Sequence, residues 1–144
     1  MITKLTLRNF KCIKEQTYEF TNFDLLVGWN NCGKSTILQA LAIWQFCLDE
    51  FHRADRSGTT GTRVLLPDFT ALPLPEFNLL WHQRTDRKNV PIIKDGKRMY
   101  SPELLYIEIE VEWRPVAGER QHYCVRLRYE SPQAVYALPD KGGW

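Results

Sequence analysis

An α/β fold carrying an antiparallel β layer is predicted by three features of this 144-residue sequence. The N-terminus alternates apolar and polar residues. A glycine-bearing segment, "GWNNCGKST", separates a short apolar run from a longer one of helical period, and two later segments alternate Ile with Glu and Val or Leu with Arg. The first and third features are strand periods; the second is a strand-to-helix junction.

The elements follow in chain order. Ile2, Leu5, Leu7 and Phe10 keep roughly a period of two, and after the polar connection "KCIKEQ" the segment Tyr18 to Phe20 offers the return strand of a hairpin. "FDLLVG" reads as a short buried strand. Ile37, Leu38, Leu41, Ala42, Trp44 and Leu48 recur at helical spacing with no proline before Pro67, which predicts a helix from about Lys34 to the neighbourhood of His52. Residues 54–75 hold turn formers and prolines and read as an irregular excursion. Pro75 suits the first turn of a short helix in "PEFNLLWHQ", and Asp95-Gly96 predicts a two-residue hairpin turn. In "YIEIEVEW" and "YCVRLRYE", a turn centred near Gly118 sets Glu110 opposite Arg126, Glu108 opposite Arg128, Trp113 opposite Tyr123 and Val111 opposite Val125. One face of that hairpin is then charged and the other apolar. "AVYAL" offers a third strand. The chain divides into residues 1–53 (hairpin, loop and helix), 54–104 (irregular insertion) and 105–144 (antiparallel β layer), all within one partial domain.

Charge and cysteine content exclude several function classes. Nineteen basic against 17 acidic residues leave a net charge of +2, which gives no global polyanion-binding signal. Arg84, Arg87, Lys88, Lys94, Lys97 and Arg98 outnumber Asp86 and Asp95 locally, but no aromatic interleaving accompanies them, and a solvated loop and hairpin is the reading. Cys12, Cys32, Cys47 and Cys124 form no CxxC pair and have no metal-ligand spacing with His52, His82 or His122, so they read as reduced thiols of a cytoplasmic protein. No secretory h-region opens the chain, and the apolar stretch Leu38 to Leu48 is shorter than the roughly 20 residues a bilayer requires, so no membrane association is expected.

The junction carries the chemistry. In a GxxxxGKS segment successive backbone N–H groups point into one concavity, and glycines stand where side chains would collide with a phosphate. Gly28 and Gly33 supply that freedom, with Asn30, Asn31 and Cys32 between them. Lys34 would reach the β and γ phosphates of a nucleotide, Ser35 would place its hydroxyl on Mg²⁺, and Thr36 follows in the first helical turn, where the helix dipole favours an anion.

The match extends beyond the loop. "ITKLTLRNFKCIKEQTYEF" followed by "LLVGWNNCGKSTILQAL" resembles the start of the RecF, SMC and OLD-type ATPases, an ABC-like branch of the P-loop NTPases, most closely on its OLD or RecF side. Asn9, Phe10 and Lys11 match the end of that group's first strand, and Gly28, Asn30, Gly33, Lys34, Ser35 and Thr36 match its GxNxxGKST loop. The resemblance covers residues 1 to about 48. It implies the N-terminal lobe of a P-loop NTPase (ABC-ATPase-like) with an antiparallel β layer after the loop's helix, ATP and Mg²⁺ as cofactors, and work on DNA in repair, chromosome maintenance or phage defence.

Much of what that group needs for hydrolysis is not found. Asp49 and Glu50 close an apolar run, but they continue the loop's own helix, whereas a catalytic acidic pair belongs on a neighbouring strand. No Leu-Ser-Gly-Gly segment is present, and Gln83 reads as a solvated residue at a helix end rather than a magnesium-sensing glutamine. No catalytic residue is assigned. The isolated chain is expected to bind ATP without turning it over, with a C-terminal ATPase lobe or a second ATPase subunit completing the site. Two alternatives share the loop: a small phosphotransferase of the nucleotide-kinase type, and a non-catalytic ATP-binding interaction module.

Overall fold

The computed structural model describes residues 1–21, 34–53 and 61–140. The apolar run "FDLLVG", the loop through Gly33, the turn-rich residues 54–60 and the end of the chain from residue 141 lie outside the described residues.

Strand β1 (Ile2–Phe10) turns through Lys11 and Cys12 into β2 (Ile13–Glu19). The return strand therefore begins five residues before the expected Tyr18 to Phe20, because "IKEQT" extends β2 with its side chains largely in water. Polar residues on an edge strand carry no apolar alternation, so the period was invisible there. Helix α1 spans Lys34–Arg53. Its buried stripe is Ile37, Ala40, Ile43, Cys47, Leu48 and Phe51. Leu38, counted with the stripe on hydrophobicity, is 62% exposed, and Ala42 is exposed as well.

Residues expected to be irregular hold a strand, β3 (Thr62–Leu65), which pairs with the last strand of the sheet. Gly61 at its start has no room for a side chain: an added Cβ would lie 2.4 Å from Leu138 Cδ2 and 2.9 Å from the Ala137 carbonyl. The expected helix after Pro75 is two short 3-10 turns, Phe77–Leu80 and His82–Arg84. β4 (Arg87–Lys94) and β5 (Lys97–Leu104) form a separate two-stranded ribbon around Asp95 (φ 53°) and Gly96 (φ 72°), the positive φ pair that the turn sequence demands. β6 (Ile107–Trp113), β7 (Gln121–Ser131) and β8 (Ala134–Leu138) complete a six-stranded antiparallel sheet of order β2-β1-β6-β7-β8-β3.

The hairpin β6–β7 exists as expected, but its register differs by two residues. Glu108 faces Arg126, Glu110 faces Cys124, Val111 faces Tyr123 and Trp113 faces Gln121. A shift of two preserves which face each side chain occupies, so alternation alone could not detect it. On the apolar face Leu5, Val111 and Tyr123 stand in one cross-strand row and Leu7, Ile109 and Val125 in the next. α1 packs on this face: the Trp44 indole N–H donates to the Tyr123 carbonyl at 3.1 Å, and its ring meets Trp113 edge-on at 5.7 Å. On the other face Glu15, Arg8, Glu108 and Arg126 alternate in charge across four strands, with Arg8 to Glu108 at 3.0 Å and Arg126 to Glu108 at 3.4 Å.

Cys47 and Cys124 are free thiols; Cys12 is disulfide-bonded, so the expectation of reduced cysteines throughout does not hold there. Burial pushes the Cys124 thiol up to about 12, with Glu108, Glu110 and Asp140 adding to the effect. The ordinary unfolded thiol value is about 8.5. The folded value lies above it, so this contribution to stability is full below pH ~8.5 and is lost as pH rises toward the folded value. At about pH 9, where an unfolded thiol is largely ionised, Cys124 should resist iodoacetamide in the folded chain and react readily in denaturant, as read by peptide mass mapping. Gly61→Ala should lower stability by about 1–3 kcal/mol through overpacking, measured by urea unfolding; an unchanged midpoint would show that Leu138 yields freely.

Candidate functional site

Asn9, Phe10 and Lys11 form a corner with a mechanical role. Asn9 leaves the β1–β6 ladder in the left-handed region (φ 57°), which asparagine tolerates better than most residues, and its Nδ2 donates to the Tyr106 carbonyl at 3.0 Å. Phe10, fully buried, forms a bridge with Trp81. Lys11, also at positive φ (52°), donates its backbone N–H to the Leu80 carbonyl at 2.8 Å, and the His82 ring Nδ1–H donates to the Lys11 carbonyl at 2.9 Å. Trp81 is itself held by a 2.7 Å bond from its indole N–H to the Leu105 carbonyl and by an edge-on contact with Tyr129. The β1–β2 turn is thus clamped from one side by residues 80–82.

On the other side the turn meets the start of α1. Cys12 Sγ lies 3.9 Å from Thr36 Oγ1, and Thr36 is buried. Among the predicted site residues, Gly28, Asn30, Asn31, Cys32 and Gly33 lie outside the described residues. Lys34 is the first residue of α1, Ser35 is exposed in its first turn, and Thr36 packs its side chain inward against the β1–β2 turn. The first turn of α1 contains no acidic residue, so no carboxylate of that turn competes for the N–H groups that a helix leaves unbonded there. An exposed hydroxyl beside those N–H groups suits a phosphate-bound Mg²⁺; the described part of the site fits the group. Sequence patterning missed the clamp, whose signal was the pair of buried aromatics Phe77 and Trp81 inside a segment of mixed polarity.

Burial lowers the Lys11 ammonium below the ordinary lysine value, and no described carboxylate pairs with it. Asp49 and Glu50 lie on α1 as expected: Asp49 accepts a 3.0 Å bond from Gln45, and Glu50 pairs with Arg53. Gln83 is exposed, at a positive φ of 52°. His52 bonds the Leu48 carbonyl within its helix, and no group of three or more His, Cys, Asp or Glu that could hold a metal occurs among the described residues. No described helix is long and apolar enough to cross a membrane.

Residues 1–55 match the family model of the AAA ATPase domain. This match supports an AAA or P-loop ATPase N-terminal region, and the family implies nucleotide binding, typically with Mg²⁺. The chain is also similar to an uncharacterized protein, 094L, of Invertebrate iridescent virus 3, at 35% identity over 95 residues. That similarity covers 63% of this chain and 10% of the viral protein, so the chain spans about a tenth of the length of the curated relative it matches.

If the corner needs the left-handed conformation at residue 9, Asn9→Gly should cost less stability than Asn9→Ala, which adds about 1–2 kcal/mol of backbone strain. Urea unfolding of the two variants decides this; equal midpoints would remove the conformational argument.

Proposed function

We propose that this chain is the N-terminal lobe of a RecF, SMC or OLD-type ATPase that binds MgATP on residues 28–36. One observation carries the reading: α1 begins at Lys34, where the GxxxxGKS segment ends its glycines, within the stretch that matches the AAA ATPase domain. In this reading backbone N–H groups of the loop and of the first turn of α1 cradle the phosphates, Lys34 brings a compensating charge, and Ser35 offers its hydroxyl to the metal. Bound Mg²⁺ would neutralise phosphate charge. Thr36 serves differently from its neighbours, seating the helix start against the β1–β2 turn.

Catalysis needs a water-orienting acid on a neighbouring strand. The first described acidic residues after the loop, Asp49 and Glu50, sit toward the far end of α1 from Lys34. A C-terminal lobe or a second subunit would supply that acid, and the whole assembly would act on DNA in repair, maintenance or phage defence. The six-stranded antiparallel sheet that embraces α1 weighs against a nucleotide-kinase architecture, in which helices and a lid would follow the loop.

Calorimetry with MgATP on the wild-type chain and Lys34→Ala tests the cradle. The variant should bind about 10- to 150-fold more weakly, the equivalent of losing about 1.5–3 kcal/mol of charge-assisted contact. Ser35→Ala should reduce the dependence of binding on Mg²⁺ more than it reduces binding of ATP alone. Phosphate release by the chain should stay at background. Affinity indifferent to Lys34, or steady turnover by this chain, would sink the proposal.

A further inference from the structure

The ribbon β4–β5 carries more positive charge than the entire protein. Residues 87–104 hold Arg87, Lys88, Lys94, Lys97 and Arg98 against Asp95 and Glu103, a net of +3, while the whole chain is +2 and the remainder therefore −1. Both strands pair only with each other among the described residues, and their residues are exposed but for Val90, Ser101 and Leu104, which are half-buried. The ribbon projects from the sheet instead of covering it.

Its far end combines two features that a merely solvated hairpin would avoid. First, Lys94 and Lys97 stand directly opposite each other across the turn, a like-charge pair that destabilises an isolated hairpin. Arg98 follows, and Lys94, Lys97 and Arg98 have no ion-pair partner among the described residues. Second, large apolar side chains face water on both sides: Ile93 (83% exposed) and Tyr100 (65%) on one face, Ile92 (39%) and Met99 (48%) on the other. A polyanion removes the first cost, and an apolar surface removes the second.

We infer that this ribbon is a DNA-contacting arm that enters the major groove of a duplex. Two eight-residue strands reach roughly 26 Å, and the major groove of B-DNA admits a two-stranded ribbon. Phosphates flanking the groove would meet the lysines and Arg98, while Ile93 and its apolar neighbours would meet thymine methyls and base edges. An RNA duplex is a poor fit because its major groove is deep and narrow. Single strands are a poor fit because Tyr100 is the ribbon's sole aromatic ring and offers no stacking platform. The inference does not depend on the phosphate loop.

Fluorescence anisotropy with a labelled duplex of about 20 base pairs, without nucleotide and between about 50 and 200 mM salt, provides the test. Wild-type chain should bind with a dissociation constant in the ~10⁻⁴ to 10⁻⁶ M range that rises with salt. A variant combining Lys94→Glu, Lys97→Glu and Arg98→Glu should reduce the slope of log affinity against log salt by about 2.7, three contacts at ~0.9 each. A second variant, Ile93→Ser with Tyr100→Ser, should weaken binding while leaving the slope unchanged. Both alter exposed positions, and unchanged circular dichroism and melting confirm that the fold survives. The inference fails if the charge variant binds as wild type does or if RNA duplex binds equally well. It fails too if the chain shows no DNA binding but self-associates in a manner that Ile93→Ser abolishes.

Discussion

The pairing of β1 with β6 is the constraint on which the rest of this structure depends. It joins residues about a hundred positions apart in sequence, Leu5 to Val111 and Leu7 to Ile109 among them, and so incurs a large loop-closure entropy that local elements do not. Buried apolar side chains on one face and an alternating row of charges on the other offset that cost. Without this pairing, the β1–β2 hairpin would have no sheet to extend and α1 would lose part of the apolar surface it lies on.

The charged row deserves a physical weighting. Arg8 and Glu108 are each about a third exposed, at 35% and 28% of their side-chain surface. Isolated pairs so placed contribute about 0–1 kcal/mol. A shared Glu108 between Arg8 and Arg126 gives more specificity than energy, because a slip of either neighbouring strand leaves a half-buried guanidinium facing the wrong residue. Arg128 found a different partner and lies over the Tyr136 ring at 4.4 Å.

The clamp around the β1–β2 turn transmits this order toward the phosphate loop. Phe10 and Trp81 are buried together, Lys11 is held by main-chain and ring hydrogen bonds, and Cys12 touches the first turn of α1 through Thr36. The helix start is therefore located by the sheet and the residues 80–82 strap jointly. The charged, apolar-tipped ribbon stands apart from this framework, so its side chains are free to serve contacts outside the chain.

By itself the sequence determined the helix over 34–53, the Asp95-Gly96 ribbon, the alternating faces of β6 and β7, and the strand "AVYAL", since each is written in local periodicity or turn chemistry. It also showed the phosphate-loop motif, because that chemistry depends on residue types at fixed spacing. Tertiary structure alone decided that β1 joins β6, that β3 forms from a segment rich in turn residues, and that Glu108 faces Arg126 rather than Arg128. Those outcomes depend on which distant surfaces meet. A period of two fixes the face of every side chain but is blind to shifts of two, and only the simultaneous fit of both neighbouring strands selects the register.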